Sequence, residues 1–89
     1  MDVNPALTRV VAPGHSIEVG TSTWDPQERS IRCRYDGPTG RFSPHGSSEL
    51  PLPDLRPLME VAAENDLMSA ADCAAIIEAL AQSIRRQHP

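Results

Sequence analysis

The chain changes its hydrophobic rhythm once, near residue 50. Before that point apolar and polar side chains alternate. In "HSIEVGTST", residues 15–23, Ile17, Val19 and Thr21 share one side of an extended chain, and Ser16 and Glu18 share the other. "WDPQER" interrupts the run, because Asp25-Pro26 favours a turn. "SIRCRYD" resumes it, with Ile31, Cys33 and Tyr35 on one face and Arg32, Arg34 and Asp36 on the other. "DGPTG" then supplies a tight loop, and "RFS", residues 41–43, offers a short third strand with Phe42 facing inward. The pattern predicts an antiparallel β-meander over 15–43.

After the connector "SPHGSSELPLP" the apolar spacing becomes three and four. Leu55, Leu58, Met59 and Ala62 predict a helix over 54–65, with Asp54 as its N-cap and Pro57 tolerated in its first turn. A second helix follows Ser69, whose partner three residues on, Asp72, approximates a capping box. Cys73, Ile76, Ile77, Leu80, Ala81 and Ile84 form its stripe, and Arg85 and Arg86 suit its C-terminal end. A sheet with one apolar face and helices with apolar stripes bury each other. The fold class expected is therefore α+β, a small three-stranded antiparallel β-meander packed against a C-terminal two-helix hairpin (β-β-β-α-α). Its expected core sets Ile17, Val19, Ile31, Cys33, Tyr35 and Phe42 against Leu55, Leu58, Met59, Ile76, Ile77 and Leu80. Residues 15–89 are expected to form one domain. Residues 1–14, with Pro5, Pro13 and Gly14, are expected to be a flexible arm, with an edge strand from Leu7, Val10 and Val11 as the alternative.

Charge sharpens this outline. All eight basic residues are arginine, and the net charge is −4. Residues 29–46 nevertheless carry four arginines against Asp36 alone, while residues 47–82 carry seven acids against Arg56. No apolar run approaches the roughly 20 residues of a membrane span, so no membrane partner is expected. "MDVNPALTRVVAPG" lacks the basic start and apolar centre of a signal peptide. The expected location is cytoplasmic, with Cys33 and Cys73 reduced and buried.

The candidate contact surface is the arginine-bearing sheet face. Arg32 and Arg34 stand two residues apart on it, Arg41 starts the neighbouring strand, and His45 follows. Such a set could hold an acidic group in bidentate fashion. The alternative is a solvated face on which Arg32 or Arg34 pairs with Glu18 across the strands. Trp24 is the one aromatic free to stack on a ligand.

Other chemistry finds little support. "SPHGSSE" gathers serine, histidine and glutamate in a loop, where triad geometry is rare. Its serines and Glu49 are expected to satisfy backbone groups instead. His15, His45, His88, Cys33 and Cys73 lack metal-ligand spacing, and "GPTG" lacks the spacing and lysine of a phosphate loop. A helix-turn-helix would need groove-facing Arg, Asn or Gln where the second helix shows Ala, Asp and Glu. No catalytic residue, cofactor or metal is therefore expected. The function expected is a small non-enzymatic protein-binding or regulatory module acting through Arg32, Arg34, Arg41, His45 and Trp24. Nucleic-acid binding through the same face is the alternative. A homodimer is open to a chain this small.

Overall fold

The two alternating segments become the central strand pair. The structure, a computed structural model, describes all 89 residues, Met1–Pro89. Strand β3 (His15–Thr21) pairs antiparallel with β4 (Arg29–Tyr35) along their full length, from His15 opposite Tyr35 to Thr21 opposite Arg29. In this register Glu18 faces Arg32 and Ile17 faces Cys33, so the predicted sorting of side chains onto two faces holds.

The flanking strands differ from the expected meander. "RFS" forms no strand: Phe42 makes only an isolated bridge to Asp36. The chain joins β4 later, as β5 (Glu49–Pro51). On the other side of β3, the first fourteen residues supply two short strands to one edge, β1 (Asp2–Val3) and β2 (Arg9–Ala12). A 3-10 turn at Pro5–Leu7 separates them, its N-terminus satisfied by the Asn4 side chain accepting from the Ala6 N–H at 3.0 Å. Gly14, at φ 73°, makes the reversal into β3. Val3 lies so close to Gly20 that a Cβ there would sit 2.0 Å from the Asp2 carbonyl oxygen. The missing side chain of Gly20 is what admits β1.

The second rhythm yields the helices. A 3-10 turn at Leu52–Asp54 leads into α1 (Leu55–Glu64), which places Asp54 in that turn with no side-chain capping bond. α1 ends in a Schellman motif. The Leu67 N–H donates to Ala62 and the Asp66 N–H to Ala63, with Asp66 left-handed at φ 53°. α2 (Ala70–Gln87) opens on Ser69, whose hydroxyl accepts from the Asp72 N–H at 3.1 Å, as the capping pattern predicted. The fold is α+β, an antiparallel sheet followed by two C-terminal helices. Two compact units divide the chain, Met1–Leu55 holding the sheet and Arg56–Pro89 the helices. Neither helix is long and apolar enough to cross a membrane.

Burial contradicts the expected core. No apolar side chain is buried, and Cys33, Tyr35 and Phe42 are exposed. The buried polar and charged residues are Glu18, Ser22, Ser30, Arg32 and Ser47. Within the sheet unit the covered side of β3 and β4 is thus the polar one. On that side the Phe42 ring lies against Arg32 and Glu49 accepts from the Ser30 hydroxyl, and mutual pairing makes the enclosed charges tolerable. In the helical unit, neither α1 nor α2 holds a buried residue.

Candidate functional site

Strand register alone brings the arginines together. Arg32 and Arg34 alternate onto the side of β4 that faces Glu18 and Ser16 of β3. The Arg32 guanidinium donates twice to Glu18 Oε1, from Nε at 3.1 Å and from Nη2 at 2.6 Å. Arg34 Nη1 approaches Glu18 Oε2 at 3.6 Å, and its Nε donates to Asp36 Oδ1 at 3.0 Å. Two arginines thus meet two carboxylates, and the group is neutral. The hydrogen bond to Asp36 holds the Arg34 guanidinium above its already high ordinary pKa, against the opposing effect of burial.

Phe42 completes this cluster from the loop. Its ring lies 4.5 Å from the Arg32 Cζ and 5.1 Å from the Arg34 Cζ, cation–π distances on the arginine side of the sheet. The inward direction expected for Phe42, beside Cys33 and Tyr35, is therefore corrected. An aromatic ring serves the guanidinium planes better than it serves a third strand that does not form. Arg32 is sealed beneath it, while Phe42 keeps 37% of its surface exposed and the Arg34 side chain 36%.

The other candidates are placed separately. Arg41 and His45 are exposed, on either side of Phe42 in the loop, and Arg41 makes no ion pair. Trp24 belongs to the loop between β3 and β4, at the other end of the strand pair, where its indole N–H donates to Glu28 at 2.9 Å. The structure thus joins Arg32 and Arg34 to Phe42, carries Arg41 and His45 nearby in sequence, and leaves Trp24 apart.

Two clusters complete the sheet unit. Ser47 spans the Tyr35 backbone, accepting from its N–H at 2.9 Å and donating to its carbonyl at 3.2 Å. Glu49 accepts from the Thr23 hydroxyl, from the Thr23 N–H at 3.1 Å and from the Ser30 hydroxyl at 2.9 Å. "SPHGSSE" therefore satisfies backbone groups, as expected. Burial pushes the Glu49 carboxyl up, but these three donors outweigh it and hold the group below its ordinary pKa. Sequence reasoning did not connect Glu49 with Thr23, 26 residues away, and no local signal carried it.

His15 stacks on Tyr35, with ring centroids 4.2 Å apart, and its Nε2 is buried without a hydrogen-bond partner. Cys33 is exposed and Cys73 half-buried, which corrects the expectation that both are enclosed; both are free thiols. No three His, Cys, Asp or Glu side chains converge as metal ligands. Compared with known proteins, the chain matches no family model, no curated protein and no solved structure.

Proposed function

We propose that the chain is a non-enzymatic protein-binding module whose contact surface centres on Phe42, with Arg34 and Arg41 beside it. One observation carries this reading. Phe42 stays 37% exposed although two guanidinium groups lie against its ring, so an aromatic side chain sits at the surface beside a partly exposed arginine. Aromatic residues and arginine dominate the energetics of protein interfaces. The partner that fits presents an apolar group to the ring and a carboxylate to Arg41, the unpaired charge beside it. Nucleic acid fits less well, because Glu18 and Asp36 already neutralise Arg32 and Arg34.

The test uses the full chain as bait in nuclease-treated extract, followed by titration of the purified partner. Arg41→Glu reverses an exposed charge without touching the fold, and Phe42→Ala removes the anchor. Each is expected to weaken the partner about tenfold or more, as interface anchors do. Unchanged affinity in both variants, or capture that disappears with nuclease, overturns the reading.

A further inference from the structure

We propose that the cleft where β1, β3 and β4 run side by side binds a free α-amino acid in its zwitterionic form. The cleft holds about 410 Å³ and is lined by Asp2, Val3, Asn4, Gly20, Thr21 and Arg29. That volume lies at the small end of ligand sites, so it suits a small molecule. Strand register fixes what stands where. Thr21 is opposite Asp2 on one side and opposite Arg29 on the other. A carboxylate, a hydroxyl and a guanidinium therefore form one row across three strands, whose backbones stand about 4.8 Å apart. The row exists because Gly20 lacks the side chain that would keep β1 away.

The charges at the two ends of the row are unmatched. Asp2 and Arg29 make no ion pair, with each other or with any other residue. Elsewhere in the sheet unit Glu18, Asp25, Glu28, Asp36 and Glu49 each accept a hydrogen bond from within the chain. Asp54, just before α1, is the one other acid there without such a bond, and it lies outside the cleft. The Asn4 amide oxygen is taken by the Ala6 N–H, which leaves its NH2 group free to donate. Opposite charges in one cleft select a ligand that carries both signs itself. The Arg29 guanidinium takes the carboxylate in bidentate fashion, and Asp2 takes the ammonium. A molecule of one sign is repelled by one end of the row. Val3 is the one large apolar residue in the lining, so the ligand's own side chain is small or polar.

Amide NMR spectra of the full chain, titrated with glycine, test the site, because glycine is the zwitterion with no side chain to obstruct entry. The signals of Asn4, Gly20, Thr21 and Arg29 are expected to shift together and to saturate at about 1–10 mM. Acetate and methylammonium, each one half of the ligand, are expected to bind about tenfold more weakly. Arg29→Gln and Asp2→Asn, both at exposed positions, are each expected to lower glycine affinity about tenfold and to leave the rest of the spectrum in place. Signals unmoved by glycine at about 50 mM overturn the assignment. So does acetate binding as tightly as glycine, which makes Arg29 a plain anion contact, or glycine affinity unchanged in both variants. Phe42 and Arg41 lie outside the cleft, so the outcome is independent of the proposed partner surface.

Discussion

Arg32 and Glu18 form the least exposed ion pair in the chain, at 2.6 Å, with side chains 10% and 6% exposed. A buried pair contributes little relative to apolar residues of the same volume, yet losing one partner strands the other charge. Glu18→Gln or Arg32→Met is therefore expected to destabilise the sheet unit by about 3 kcal/mol. The double variant Glu18→Leu/Arg32→Met is expected to cost less than either single change, which a denaturant titration of all three measures. Glu49 makes a pH prediction. Its folded-state pKa is lowered, so its contribution is present above the unfolded carboxyl value of about 4.5 and is lost as pH falls through the lower folded one. Acidification below that point is expected to loosen the Thr23 loop, read from the fluorescence of neighbouring Trp24. Glu49→Gln removes that acid-dependent step. At this scale the sequence was partly legible. Strict alternation put Glu18 within reach of Arg32 or Arg34 across the strands, and the register then set Arg32 opposite it with Arg34 alongside. It could not show that loops would seal the polar side, since covering depends on where Phe42 and Ser47 return in space.

Elements were legible where their signals are local. Ser69 and Asp72 mark the start of α2 through a hydrogen bond spanning three residues, and the apolar spacing marks its length. β3 and β4 follow from alternation. β5 did not, because "ELP" is three residues long and alternates too briefly to register, while "RFS" offered an equally short pattern beside a better turn. Of the N-terminal strands, β2 carries Val10 and Val11 of the alternative edge strand, whereas β1 escaped, because the space at Gly20 that receives it is a tertiary fact. Asp66 makes the prediction belonging to this scale. It closes α1 from a left-handed conformation that glycine adopts without strain. Asp66→Gly is expected to raise the melting midpoint of the helical unit, by about 0.5 kcal/mol of stability, while Asp66→Val lowers it. Far-UV circular dichroism melts distinguish the two.

Across the whole molecule, polar and apolar roles are exchanged. Enclosed positions go to serine, arginine and glutamate, and large apolar side chains remain at the surface on the sheet unit and along both helices. A chain of this size has few stabilising contacts to spare, and surface left apolar gains by association. The proposed Phe42 surface would answer that need on the sheet unit. The change of rhythm near residue 50 revealed the order of sheet then helices. Which surfaces meet is settled by geometry that composition does not carry.

The outer margins of the sheet have one more consequence. β5 is three residues long and ends in Pro51, which has no N–H to offer, and the opposite margin is broken by the turn at Pro5–Leu7. Neither border gives a stranger's backbone a continuous row of hydrogen-bonding groups. Stacking of many copies into cross-β fibrils is thereby discouraged, even with Tyr35 and Cys33 bare to water.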